Sequence, residues 1–294
     1  MANEREPLLS THTNGTSSRG TSSVLQRWKA SLTESVDPNN CHAALTWQCV
    51  IAGAADAAAY SQTGTWVGFM TGNVTQLTIA LVTTLLHNPS PPSSISRIWL
   101  SSTAVLGFIF GALIATWIDS HFHGKHRGKL VITALARGVV FAVLVPFLAF
   151  YGWSGWYGMG VLFVMATNMG SMAVCATKLG STPYSTTVVF TASMASLFSD
   201  PLLPLSLSKA SQTRAKSLFA LIFGGACSQV LMILTSRYFG QQDSSFIFDG
   251  EMSALTLKAH ESKPIGSAFA IGLVAIFEFI CAYAWFTAKT EQSS

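Results

Sequence analysis

The sequence predicts an all-α, polytopic membrane protein, and three observations lead to that fold class. Half of the 294 residues are hydrophobic and 10% are charged, whereas a soluble domain carries roughly 25% charged residues. Apolar runs of about 20 residues, long enough to cross a bilayer as helices, recur along the chain. Lysine and arginine collect in a few of the intervening loops. The formal charge of +4 is too dispersed to indicate nucleic-acid binding.

The polar N-terminal segment differs in composition from the rest of the chain. Residues 1–40 contain no apolar run, which predicts a disordered cytoplasmic tail rather than a signal peptide. Residues 41–290 form one predicted transmembrane domain. Its apolar segments cover about 41–61, 65–86, 97–119, 130–151, 156–177, 184–205, 215–237 and 265–287. The segment 184–205 contains Asp200, Pro201 and Pro204 and is a poor full span.

Positive charge distinguishes two topologies, because cytoplasmic loops are enriched in lysine and arginine. If all eight segments cross, nine of these residues face the cytoplasm and seven face outside. If 65–86 and 184–205 are instead re-entrant, about six full spans remain and the division is twelve to four. The sequence therefore favours six spans, with the loops 123–129 and 206–216 and both termini in the cytoplasm. Segment 65–86 is nevertheless apolar and long enough to span.

Two halves of the chain, about 41–151 and 156–287, contain similar segments in the same order. FIFGALIA at 108–115 aligns with LIFGGACS at 221–228, which places Gly111 opposite Gly224. AGAADAAAY at 52–60 aligns with VMATNMGSM at 164–172, and FMTGNVTQL at 69–77 aligns with VFTASMASL at 189–197. Chance similarity among apolar segments is the alternative to a duplication. With six spans the halves would be inverted, an arrangement typical of secondary transporters with interrupted helices.

The same segments carry a resemblance to a known family. The stretch A-G-A-A-D-A-A-A-Y, followed by F-M-T-G-N at 69–73, resembles the YoaK-like family, an uncharacterised family of polytopic membrane proteins of bacteria and fungi. In the second half the matching stretches are 166–168 and 191–193, with Thr167 where the family has Gln and Ala192 where it has Gly. The resemblance implies an integral membrane protein, with transport as one role, and implies no particular substrate.

Asp56 is the first candidate for function. A carboxylate within a span costs about 2.5–3.5 kcal/mol on insertion scales and therefore normally faces the bundle interior or a water-filled cavity. Such a group can bind and release a proton, which suits coupling to a proton gradient. The alternative is a structural carboxylate that is hydrogen-bonded to a neighbouring helix. Thr71, Gly72 and Asn73 suggest a helix break whose freed backbone groups and side chains bind a solute or an ion.

Four further residues complete the candidate site. Asn168 and Thr191 follow from the repeat, since they lie opposite Asp56 and Thr71. Arg137 lies about a third of the way into its segment, and it is expected to reach the membrane surface or to pair with Asp56 or with Glu278, deep inside the last span. These charged residues could form a static ion pair or a proton relay, and the sequence does not distinguish the two. Gln229 is expected to form an interhelical hydrogen bond.

These features predict a secondary transporter or facilitator for a small, unidentified solute, with proton coupling through Asp56. The alternative is a membrane organising protein in which buried polar groups only determine helix packing. An enzyme is not expected, because the chain contains no recognised catalytic motif. No cofactor or metal is expected either. The predicted partners are the lipid bilayer and a second copy of the chain, and the predicted location is the plasma or vacuolar membrane.

Overall fold

The computed structural model describes residues 32–37, 41–86, 92–121, 126–153, 155–179, 197, 208–239 and 265–289. This part of the chain contains seven helices and no strand beyond an isolated bridge between Ser35 and His126. The helices are α1 (His42–Thr63), α2 (Met70–Leu86), α3 (Pro92–His121), α4 (Arg127–Tyr151), α5 (Gly155–Lys178), α6 (Lys209–Tyr238) and α7 (Ile265–Phe286). Most of the weak segment 184–205, including Thr191, lies outside the described residues.

The surface of the helix bundle is as apolar as its interior. The five helices α3 to α7 are long and apolar enough to cross a membrane, and α2 is a shorter apolar helix. Leu113 on α3 and Val143 on α4 are 63% and 62% exposed, whereas alanines such as Ala54 and Ala134 are fully buried. Large side chains outside and small ones inside are expected where lipid, rather than water, surrounds the helices. The fold is therefore that of an all-α, multi-pass membrane protein.

Two parallel helix pairs connect the halves of the chain. In the pair α1–α6, Gly53 lies against Leu221 and Ala57 accepts a hydrogen bond from Gln229, so both helices advance in the same direction. In the pair α3–α5, Gly107 lies against Phe163. Near the C-terminal ends of those two helices Asp119 pairs with Lys178 at 3.2 Å. Each half therefore packs two of its helices along helices of the other half.

Glycine allows these pairs to touch backbone to backbone. A Cβ added at Gly224 would overlap the carbonyl oxygen of Val50, and one at Gly111 would overlap the carbonyl oxygen of Thr167. Gly170 lies equally close to the carbonyl of Phe108. Helix pairs in membranes commonly use small residues for such approach, because van der Waals contact drives their association. Gly111 and Gly224, which the repeat aligns, thus have the same packing role.

The third contact between the halves is the antiparallel pair α4–α7. Arg137 on α4 binds Glu278 on α7, and the Trp153 indole just after α4 donates to the Ser267 hydroxyl on α7 at 2.8 Å. Residue numbers rise along one helix as they fall along the other. The helices α1, α4 and α6 consequently begin at one end of the bundle, where α3, α5 and α7 end.

We call that end the basic end, because most of the described lysines and arginines lie there. It carries Arg127, Lys129, Lys178, Arg214, Lys216 and Lys289, whereas Arg97 and Arg237 lie at the opposite end. Residues 32–37 also pack there: Val36 is fully buried, and the Arg127 amide donates to the Glu34 carbonyl at 3.0 Å. This part of the predicted disordered tail is therefore ordered, since the ends of α4 and α7 supply its backbone partners.

The glycine contacts predict an effect on stability. Gly224→Ala and Gly111→Ala should each lower the free energy of unfolding by about 1–3 kcal/mol, because the added methyl group forces the helices apart. Gly160→Ala is the matched control, since no atom of another described residue outside its own helix turn lies within 4 Å of its added Cβ. Thermal unfolding of the purified protein in detergent measures all three. Equal stability of the three variants would contradict the backbone contact.

Candidate functional site

The chain interrupts its helical structure between α1 and α2, at residues 64–69. Helix α1 ends at Gly64, whose φ of +64° is the left-handed conformation that glycine adopts without strain. The backbone then turns back into the bundle until Val67 and Gly68 reach Asp56. Asp56 precedes Gly64 by eight residues, or about 12 Å of helix, a distance that the returning backbone and the Asp56 side chain cover together. This interruption lies just before the predicted one at Thr71–Asn73.

Asp56 divides its two carboxylate oxygens between different environments. Oδ1 accepts hydrogen bonds from the amides of Val67 and Gly68, each at 2.7 Å. Oδ2 has no hydrogen-bond partner among the described residues and lies beside Gly68, where an added Cβ would be 3.0 Å away. One oxygen therefore satisfies backbone donors that the broken helix leaves open, and the other remains available.

Side chains of α2 and α3 hold the interruption in place. Asn73, which is fully buried, accepts from the Trp66 amide at 3.2 Å and donates to the Trp66 carbonyl at 2.6 Å. The carbonyl of Gly64 accepts from Arg97 at 2.7 Å and from Gln76 at 3.3 Å. Backbone in an apolar layer needs such partners, because no bulk water is present there.

The three residues of the T-G-N motif therefore have different environments. Asn73 anchors the interruption through its amide side chain. Gly72 lies against the rings of Phe69 and Trp66, where a larger residue would collide. Thr71 is exposed. The motif thus supports the geometry around Asp56, and only Asn73 does so through side-chain hydrogen bonds.

Asp56 lines a cavity of about 560 Å³. Its walls come from α1, the interruption, α5 and α6, and include Trp66, Phe69, Met169 and Met172. Gln229 also lines it and donates to the Ala57 carbonyl at 3.1 Å and to the Ser61 hydroxyl, which makes it the interhelical hydrogen bond expected from the sequence. The volume lies within the range of small-molecule sites.

Aromatic rings form one side of this cavity. Trp66 stacks on Tyr60 with centroids 4.4 Å apart, and Phe69 meets Trp66 edge to face at 5.5 Å. Trp66 and Phe69 were not among the site residues expected from the sequence. Their position on either side of Gly68, between two apolar segments, was the available signal. It becomes informative only once the chain is known to turn inward there.

A second cavity, of about 220 Å³, lies between α3, α4 and α5. Asn168 and Arg137 line it, and Asp119, with Lys129 and Lys178, lies where it approaches the basic end. The amide of Asn168 donates to the carbonyl of Val164 at 2.8 Å, within its own helix. Asn168 and Asp56 thus line different cavities, and Asn168 has a neutral amide where Asp56 has a carboxylate.

Arg137 and Glu278 form a buried ion pair. Nε of Arg137 donates to Oε1 of Glu278 at 2.8 Å, and Nη2 donates to Oε2 at 3.2 Å. Arg137 is 5% exposed and Glu278 is fully buried. Arg137 therefore turns inward instead of reaching the membrane surface, and of the two suggested partners it pairs with Glu278. Gly138 leaves room for the Glu278 side chain, because a Cβ added at Gly138 would lie 3.3 Å from the Cβ of Glu278.

The candidate residues consequently separate into three places. Asp56 lines the larger cavity, and Gly72 and Asn73 lie behind it against Trp66 of the interruption. Asn168 and Arg137 line the smaller cavity, and Glu278 neutralises Arg137. Within the described part of the chain, no group of three His, Cys, Asp or Glu side chains could hold a metal ion.

Comparisons with known proteins agree with this architecture. Residues 44–239 match the family model described as "Protein of unknown function (DUF1275)". The UPF0700 transmembrane protein YoaK of Bacillus subtilis (strain 168) is 29% identical over 158 residues, which are 53% of this chain and 65% of YoaK. The chain thus aligns with somewhat less than two thirds of that relative's length. No solved structure matches.

The family match includes α1 to α6, and so both helix pairs that hold Gly53, Gly111 and Gly224. It also includes Asp56 and the interruption that its carboxylate holds. Together with the similarity to a transmembrane protein, it confirms the resemblance seen in the sequence: this chain is a member of the DUF1275 family of YoaK-like membrane proteins.

Proposed function

We propose that this protein is a secondary transporter of a small solute, with the Asp56 cavity as the solute site and Asp56 as the proton carrier. The observation that carries the proposal is the division of the carboxylate. Oδ1 holds the interruption between α1 and α2, Oδ2 has no hydrogen-bond partner among the described residues, and Asp56 lines a cavity of about 560 Å³. An ionisable group within a membrane span marks a functional site by default.

This geometry allows Asp56 to change charge without dismantling the site. A proton on Oδ2 removes the negative charge, while Oδ1 remains an acceptor for the amides of Val67 and Gly68. The weaker hydrogen bonds of the neutral form would loosen the interruption slightly. Protonation would therefore alter both the charge of the cavity and the stability of one of its walls.

The directions of the helices support an inverted repeat with about six full spans. Helices α1 and α3 correspond to α5 and α6 in the alignment of the halves, and α4 and α7 follow them in the same order. Each of the three runs opposite to its counterpart. The pair α1–α6 thereby corresponds to the pair α5–α3. Residues 64–86 turn in and out again on the side opposite the basic end, as a re-entrant segment does. Such repeats permit alternating access around a central site.

One observation favours the alternative, a membrane organising protein. Oδ1 of Asp56 and the Arg137–Glu278 pair are both satisfied within the protein, so these groups also stabilise packing. That role accounts for Oδ1 and does not account for an unpartnered Oδ2 on a residue that lines a cavity. A substitution that keeps the Oδ1 acceptor and removes the titratable charge can therefore distinguish the two hypotheses.

Asp56→Asn is the substitution that makes this distinction. It retains the Oδ1 acceptor but cannot carry the proton, so the protein should accumulate normally while solute movement driven by a pH gradient is lost. Membrane vesicles containing either protein, analysed by mass spectrometry of their contents with and without an imposed gradient, measure this. Asp119→Asn, which removes a carboxylate outside the cavity, is the control and should retain gradient-driven movement. A fully active Asp56→Asn protein would contradict the proton role.

Asp56→Leu tests the structural contribution by itself. It leaves the amides of Val67 and Gly68 without their acceptor, which should cost about 1–3 kcal/mol for each unsatisfied group and lower the folded yield. The yield after detergent extraction, compared with that of Asp56→Asn, is the measurement. Equal yields of the two variants would show that Oδ1 contributes nothing to the stability of the interruption.

The re-entrant topology predicts which positions share a membrane face. Single cysteines at Trp156 and Leu86, in a protein lacking the five native cysteines, should react with an impermeant maleimide from the outside. A cysteine at His126, at the basic end, should react from the cytoplasm only. If Leu86 and His126 reacted from the same face, residues 65–86 would form a full span and the six-span topology would be wrong.

A further inference from the structure

We propose that the solute of the Asp56 cavity is a small organic cation, an ammonium ion with apolar substituents, and that it exchanges against a proton. This inference rests on the proposed transport function and adds the class of solute and the direction of coupling. It follows from the charge of the cavity, the chemistry of its walls and the number of carboxylate oxygens that are free.

The charge of the cavity is that of Asp56. Among the described residues that line it, α5 contributes Met169 and Met172, α6 contributes Gln229, and the interruption contributes Trp66, Gly68 and Phe69. None of these side chains is ionisable. A carboxylate removed from water and left without a positive partner is strongly unfavourable. A cationic solute supplies the missing charge, whereas an anionic solute would be repelled.

The charged and ionisable groups of the neighbouring elements do not supply it either. Tyr60 adjoins the cavity through its stacking on Trp66. Helix α7 packs on α1 and carries Glu278, which Arg137 neutralises. Helix α2 contributes the neutral side chains of Asn73 and Gln76. Arg97 on α3 donates to the carbonyl of Gly64, eight residues beyond Asp56, and not to the carboxylate. The described surroundings of Asp56 therefore leave its negative charge uncompensated.

The walls suit a cation that carries apolar groups. Trp66 and Phe69 present aromatic rings, and tryptophan is the best of the side chains that attract cations through the ring quadrupole. Met169 and Met172 supply polarizable, adaptable surface for alkyl substituents. Hydrogen-bonding groups on the wall are few, because the Gln229 amide already donates to Ala57 and Ser61. A substituted ammonium ion needs few such partners.

The coupling follows from competition for a single oxygen. With Oδ1 occupied by two amides, a proton and a cation must both use Oδ2. Entry of the cation at a protonated Asp56 releases the proton, giving a carboxylate–ammonium pair and one free proton. Binding of one excludes binding of the other, so the two move in opposite directions across the membrane.

The test uses two probes of nearly equal shape, choline and its neutral analogue 3,3-dimethylbutan-1-ol. Calorimetric titration of the purified full-length protein in detergent, in buffers of different ionisation enthalpy, measures affinity and proton release together. We expect choline to bind and to release protons in the acidic range. There its dissociation constant should rise about tenfold for each pH unit by which the solution is made more acidic. The neutral analogue should bind at least about tenfold more weakly and release none.

Variants assign these effects to the cavity. Asp56→Asn should abolish both choline binding and proton release, while Asp119→Asn should leave both unchanged. Trp66→Leu should weaken choline binding roughly two- to thirtyfold without removing proton release. These measurements need no membrane gradient, so they are independent of the vesicle experiment.

Three results would overturn the proposal: equal binding of the two probes, choline binding that survives in Asp56→Asn, or no choline binding in the millimolar range. Any of these would leave transport of a different solute intact if gradient-driven movement in vesicles still required Asp56. If gradient-driven movement in vesicles did not require Asp56, the proposed function itself would be contradicted.

Discussion

Backbone that leaves its helix inside an apolar layer must find hydrogen-bond partners within the protein. The structure around residues 64–69 follows from that requirement. Asp56 accepts from two amides, Asn73 binds both polar groups of the Trp66 backbone, and Arg97 donates to the carbonyl of Gly64. The polar residues of this region therefore form one support, which holds a wall of the larger cavity at a defined depth.

Close backbone packing of two helix pairs leaves space beside them for that support. Glycines at the α1–α6 and α3–α5 contacts allow the helices of the two halves to touch backbone to backbone. The helices of each pair are too close for a side chain to enter between them, so the cavities open beside the pairs. The larger cavity lies beside α1–α6 and the smaller beside α3–α5. The position of both cavities thus depends on where glycine occurs.

The two cavities differ in the pairing of their charged groups. Asp56 is unpaired at Oδ2 among the described residues. In the smaller cavity Asn168 is neutral, Arg137 is paired with Glu278, and Asp119 is paired with Lys129 and Lys178. A buried pair contributes little net charge, and a buried amide contributes none. A transport cycle driven by protons would therefore act through the first half of the chain, with the second half serving as its packing counterpart.

Composition and hydropathy by themselves determined the all-α membrane class, and the seven described helices agree with it. The motif around Asp56 was also recognisable, because a carboxylate among alanines in an apolar segment is costly unless the protein surrounds it with partners or a cavity. The roles of Trp66 and Phe69, the pairing of Arg137 with Glu278 and the division of the Asp56 oxygens were decided only by the tertiary structure. Each of these depends on distances between segments far apart in the chain, which helix packing sets and local sequence does not encode.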